Sequence, residues 1–212
     1  MITGQERPIY LASRSPRRRE LLAQIDVKFH LLLFRADPRA DADISEDLLP
    51  GEVPDAYVLR VARAKAEAGW KRVMMRNIPR APVLAADTAV ALDERILVKP
   101  ANRLDAAAML ASLSGRRHEV LTGVALKFED HLDAALSRTE IEFRPISEDE
   151  IKHYAATGEG DDKAGGYAVQ GRAAQFVSAI RGSYSGAIGM PLYETAQLIE
   201  KLGTFRDKRY PR

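Results

Sequence analysis

The chain has no cysteine. That excludes a disulfide framework, a thiolate nucleophile and a cysteine-ligated zinc. Its four histidines, His30, His118, His131 and His153, stand too far apart for a local metal motif, so any bound metal would need oxygen ligands. Long apolar runs are missing too. The longest stretch free of Asp, Glu, Lys and Arg is the twelve residues 182–193, rich in Gly and Ser, whereas a membrane helix needs about 20 apolar residues. The first residues, Met1 to Pro8, lack the apolar core of a signal peptide. These absences predict a cytoplasmic protein with no membrane partner.

Charge of one sign is also scarce. There are 32 Lys plus Arg against 30 Asp plus Glu, but residues 205–212 hold four basic residues and one acid, leaving 28 basic against 29 acidic over residues 1–204. A body with net charge −1 is a poor match for a nucleic-acid binder, whose affinity comes largely from neutralising phosphates. Residues 205–212 read as a flexible, solvated basic tail. The chain has no Gly-x-Ser-x-Gly elbow, His-Glu-x-x-His helix, Walker A loop or dinucleotide fingerprint.

What remains is a globular composition: 212 residues, 46% of them hydrophobic, enough for one compact domain over 1–212 in one or two lobes with a shared core. Strands are predicted at 9–12, 27–34, 83–92, 118–128 and 134–143, the last two as a hairpin. Helices are predicted from Ser15-Pro16, over 55–70, over 104–113, from Ser147 to about Ala156, and over 191–202. Ser15 and Ser147 are expected as N-caps, the second with Glu150 in a capping box. Residues 36–54 read as loop, and two further short strands are expected within 158–189. Alternation of the two element types makes this an α/β fold with a sheet flanked by helices.

Three groups of residues carry chemistry. Ser13-Arg14-Ser15-Pro16-Arg17-Arg18-Arg19 places three arginines in the first turn of a helix. The helix N-terminus is already positive, so each costs about 0.3–1 kcal/mol unless an anion compensates. Asp87, in the apolar run 83–92, needs a cation, a metal or a proton-transfer role, because an unpaired buried carboxylate is costly. Alternation puts Asp87 on the face of Val83, Ala85, Ala89 and Ala91, and Thr88 on the opposite face. Lys65, Lys99 and Lys163 are each ordinary alone; with Arg17 and Arg18 they could neutralise a triphosphate. Gln170 offers a donor and an acceptor that suit the amide edge of a base. His118 reads as a structural polar contact.

These segments resemble the Maf-like nucleoside triphosphate pyrophosphatases. The matching runs are residues 11–22, Ala86-Asp87-Thr88, residues 113–123, residues 162–171, Gly182-Ser183-Tyr184 and Gly189-Met190-Pro191-Leu192, in the family's order. The resemblance implies cleavage between the α and β phosphates, giving a monophosphate and pyrophosphate with a divalent cation, Mg²⁺ or Mn²⁺. By residue matching, Asp87 is the proton acceptor and a metal ligand, and Arg17, Thr88 and Gln170 set substrate choice as in the dTTP/UTP branch. Ser13, Arg18, Lys65, Lys99 and Lys163 then line the phosphate path. The implied fold is a twisted mixed sheet in two lobes around a central cleft, like Maf and inosine triphosphatase proteins, and commonly a homodimer.

Two places depart from the family pattern. Where adjacent acids usually follow the second strand, Asp37 stands beside Pro38; Asp37 is the expected second metal ligand, with Asp41, Asp43 or Glu52 as substitutes that the sequence does not rank. Arg172-Ala173-Ala174 also replaces a usual glycine. A non-catalytic nucleotide-binding regulator of cell division is the alternative function.

Overall fold

The structure is a computed structural model that describes residues 8–33 and 44–209, with the backbone alone for 204–209. Within these residues seven strands form one sheet: β1 (Ile9–Leu11), β2 (Phe29–Leu31), β3 (Val83–Leu92), β4 (Arg95–Leu97), β5 (Arg117–Phe128), β6 (His131–Phe143) and β7 (Val177–Gly182). Their order is β2-β1-β3-β5-β6-β7, with β4 paired to β3 beside this path. The β1 pairs with β2 and β3 are parallel and all others are antiparallel. The expected mixed sheet flanked by helices is what the chain forms.

Among the described residues six helices cover it: α1 (Pro16–Gln24), α2 (Pro54–Met75), α3 (Arg103–Leu113), α4 (Glu148–Ala156), α5 (Tyr184–Ile188) and α6 (Leu192–Arg209). Strand alternation sorts the packing. Val83, Ala85, Ala89 and Ala91 meet α2 through Val58, Val61, Ala62 and Ala66, whereas Leu84 and Ala86 meet Leu21 and Leu22 of α1 and Leu198 and Leu202 of α6. Farther along, Val90 and Leu92 join Leu110, Leu113, Tyr154, Tyr167 and Phe176 in a second cluster under α3 and α4. Gly123 lets α2 lie close on the sheet, since a Cβ there would come 2.5 Å from the Val58 carbonyl oxygen.

Several local expectations change. Ser15 is the N-cap residue of α1 but its side chain caps nothing; instead its N–H donates to Ser13 Oγ at 3.1 Å. Ser147 and Glu150 do form the capping box. The second strand keeps only Phe29–Leu31, and β4, three residues after a tight turn, is an addition. Residues 158–189 hold one strand rather than two, because the segment before it folds into 3-10 turns at Ala164–Gly166 and Arg172–Phe176. Helix α6 runs to Arg209, past the last described core contact at Leu202, and so covers most of the expected tail; residues 210–212 lie outside the described residues. No helix among the described residues is long and apolar enough to cross a membrane.

Candidate active site

One edge of β3 is interrupted. β1 pairs with it at Val83 and Leu84, β4 only from Val90 onward, and among the described residues no strand covers 85–89 on that side. Asp87 lies in the middle of this gap. The chain leaving β1 turns away through Ser13 into α1, so the end of a parallel strand, a helix N-terminus and an open strand edge meet. The resulting cleft has a volume of about 660 Å³, within the usual range of about 300–1,000 Å³ for small-molecule sites. Of the ten residues expected in the site, nine, Asp87, Ser13, Arg17, Arg18, Lys65, Thr88, Lys99, Lys163 and Gln170, line it.

The α2 side of the gap is an ion triad. Lys65 Nζ donates to Asp87 Oδ1 at 2.7 Å and stands 2.8 Å from Glu46 Oε1. Asp87 is only 7% exposed, so its charge depends on this partner. Burial alone would raise the Glu46 carboxyl, but attraction to Lys65, Lys99 and Arg18 outweighs it and holds the group below its ordinary value. Glu46 is therefore an acid of the site that the sequence reading did not select. It comes from a loop without periodicity, and only its neighbour Ile44, also lining the cleft, distinguishes that stretch.

On the opposite face Thr88 Oγ1 lies 3.0 Å from Thr122 Oγ1. Arg18 is fixed there by three bonds, from Nε to the Gly189 carbonyl at 2.7 Å, from Nη1 to the Ala86 carbonyl at 2.7 Å and from Nη2 to Thr88 Oγ1 at 3.3 Å. The second of these satisfies a carbonyl on the interrupted strand edge. Arg17 differs: its Nε is buried without a hydrogen-bond partner. Burial lowers the pKa of both guanidiniums, for Arg17 against the raising effect of Glu20 and Glu159 and for Arg18 against that of Asp87 and Glu46, yet an arginine stays charged.

The far wall comes from the segment between α4 and β7. Lys163, in contact with Asp162, lies within electrostatic reach of Arg17 and Lys99, and burial followed by these two charges pulls its ammonium down to about 8. Gln170 is exposed at the rim. Behind it the Glu159 carboxylate accepts the Arg172 N–H at 2.9 Å, in the space that a Cβ on Gly171 would need. His118 is a buried polar contact, with Nε2 2.7 Å from the Tyr167 hydroxyl and burial lowering its pKa to about 4.

The expected second metal ligand, Asp37, lies outside the described residues, as do Asp41 and Asp43. Glu52 is not available in the cleft, because Arg60 holds both its oxygens, at 2.6 and 2.8 Å. Among the described residues no group of three or more His, Cys, Asp or Glu could hold a metal. Glu46 and Asp87 are hard oxygen donors on one wall, and two carboxylates completed by substrate phosphates and water are a usual set for Mg²⁺ or Mn²⁺. The residues present fit such an ion.

The family model described as Maf-like protein matches residues 8–202. The chain belongs to this family. Curated relatives carry the name dTTP/UTP pyrophosphatase. The protein of Aromatoleum aromaticum is 55% identical over 92% of this chain and 95% of its own length. That of Dechloromonas aromatica is 52% identical over 92% and 97%, and that of Nitrosomonas europaea 51% over 96% and 98%. Among solved structures, the Staphylococcus aureus Ham1 protein aligns over 94% of this chain and all of that chain, at a TM-score of 0.49 and 14% identity.

Proposed function

We propose that this Maf-family chain hydrolyses dTTP and UTP to the nucleoside monophosphate and pyrophosphate. One observation carries the reading: among the described residues Arg14, Arg17, Arg18, Lys65, Lys99 and Lys163 line the cleft, with Glu46, Asp87 and Asp162 as the acids against them. Concentrating six cations around one hollow is costly without a polyanion to fill it. The names of the close relatives supply the two nucleotides.

In this reading the triphosphate lies along Arg17, Lys99 and Lys163, and Gln170 and Thr88 meet the nucleoside end. Lys65 fixes one oxygen of Asp87, leaving Oδ2 to take a proton from the attacking water. As the water oxygen bonds to the α phosphorus, the bond from that phosphorus to the bridging oxygen breaks and pyrophosphate leaves with both bonding electrons. The ammonium and guanidinium groups offset the charge gathering on the leaving group. A divalent cation held by Glu46 and Asp87 would supply further neutralisation of the phosphate oxygens. The family's dimer and the cytoplasmic setting belong to the same proposal, and light scattering tests the first.

The deciding assay offers dTTP, UTP, CTP and purine triphosphates with Mg²⁺ or Mn²⁺ and identifies the products. Monophosphate plus pyrophosphate from dTTP and UTP supports the reading. Release of orthophosphate, or tight binding of all of them without turnover, overturns it.

A further inference from the structure

Three consecutive carbonyls around Glu46 are held by two side chains of α2. Arg60 Nη1 donates to the Ser45 carbonyl at 3.1 Å, the Tyr57 hydroxyl donates to the Glu46 carbonyl at 3.0 Å, and Arg60 Nη2 donates to the Asp47 carbonyl at 2.9 Å. Tyr57 and Arg60 are three residues apart, so they rise from neighbouring positions on one helix face. The guanidinium also lies over the Tyr57 ring, 5.6 Å from its centroid.

The clamp is itself locked. Glu52 takes Arg60 Nε at 2.6 Å and Nη2 at 2.8 Å in a two-toothed pair, and its Oε2 also accepts the Leu49 N–H at 3.2 Å. The loop is thus closed on itself and fixed to α2 by one planar group. Only a guanidinium offers enough donors in one plane to reach a carboxylate and two carbonyls at once. Loop segments ordinarily find their backbone partners in water or in themselves. Here they are tied to the helix that also carries Lys65, so both partners of that ammonium are presented from elements fixed to α2.

We infer that Arg60, with Tyr57, is a positioning residue that sets the Glu46 carboxylate into the cleft for the divalent cation carried by the triphosphate. This rests on the reading of Glu46 and Asp87 as the cation's carboxylates. Neither Arg60 nor Tyr57 lines the cleft, so each acts through the loop and not by touching the nucleotide.

The test compares Glu46→Gln, Arg60→Met, Tyr57→Phe and the Glu46→Gln/Arg60→Met double variant. Two quantities are read: the half-saturating Mg²⁺ for dTTP hydrolysis, and calorimetric Mn²⁺ affinity in the presence of a non-hydrolysable α,β-methylene triphosphate. Glu46→Gln and Arg60→Met should each weaken cation affinity by about tenfold, Tyr57→Phe by less, and the double variant no further than Glu46→Gln alone. Wild-type cation affinity in a folded Arg60→Met, or fully additive losses in the double variant, overturns the inference while leaving Glu46 as a ligand. An unchanged Glu46→Gln overturns both the inference and the reading beneath it. Should Arg60→Met fail to fold, Arg60→Lys, which keeps the charge and loses the fork, and Tyr57→Phe carry the same comparison.

Discussion

Lys65 Nζ stands 2.7 Å from Asp87 Oδ1 and 2.8 Å from Glu46 Oε1, so one ammonium serves two carboxylates. The arrangement makes the consequences of substitution unequal. Asp87→Asn leaves Lys65 with Glu46 and keeps the size of the side chain, but the amide cannot take a proton. Turnover of dTTP should fall by about a thousandfold with little change in unfolding midpoint. Lys65→Met instead leaves the nearly buried Asp87 carboxylate without its ammonium, beside a half-exposed Glu46, and should cost about 3 kcal/mol in urea denaturation. Pyrophosphate release by Asp87→Asn at more than about a tenth of the wild-type rate would remove it as the base.

Arg17 and Arg18 are neighbours in sequence with opposite duties. Arg18 donates to two carbonyls and Thr88 Oγ1, and Arg18→Ala strands those acceptors, so it should lose about 3 kcal/mol of stability together with activity. Arg17 Nε has no partner, and Arg17→Ala should alter stability by less than about 0.5 kcal/mol. Its effect belongs to substrate: KM for dTTP should rise by about tenfold or more, as when a charged hydrogen bond is lost. Equal destabilisation by the two variants would contradict this division.

The site was more legible in sequence than its surroundings, because its residues break the rules of a stable fold. Three arginines at a helix start and an acid inside an apolar strand stand out by their cost, and a ligand-binding cleft is where such cost persists. β3, the β5–β6 hairpin and the Ser147 capping box were readable from local pattern. β4 was not, since three residues after a turn at Asp93 and Glu94, both with positive φ, carry no period. Glu46 was hidden for a different reason. Its place depends on backbone carbonyls bonded to Tyr57 and Arg60, contacts that leave no spacing rule in the chain. Family matching alone pointed to Asp37, which lies outside the described residues.

Lys163 gives the cleft a pH dependence. Burial first, then Arg17 and Lys99, hold its ammonium near about 8, below the ordinary 10.5. The protonated form is the one that attracts a triphosphate, and the free enzyme loses it as pH rises through about 8, so kcat/KM should fall above that pH. Stability moves the other way. Between about 8 and 10.5 the unfolded chain binds more protons at this lysine than the folded one, so this group's contribution to stability rises with pH. Lys163→Arg, which does not titrate, should flatten the kcat/KM profile across pH 8. A profile for Lys163→Arg that still falls there would place the titration elsewhere.

Gly171 and Glu159 share a space only one can fill. A Cβ on Gly171 would lie 2.5 Å from Glu159 Oε1 and 2.6 Å from Oε2, and the carboxylate there accepts the Arg172 N–H at 2.9 Å. Because the obstacle is the end of a flexible side chain, Gly171→Ala should push Glu159 aside rather than unfold the segment, costing about 1 kcal/mol for the lost bond. The Gly171–Arg172 peptide, one residue past Gln170, then loses its anchor. KM for dTTP should therefore rise by about fivefold to tenfold with kcat nearly kept, since binding is lost equally before and during the reaction. In the Glu159→Ala background the same Gly171→Ala change meets no carboxylate and should add no further loss of stability. A full additional loss in that double variant would show that the methyl group strains something other than Glu159.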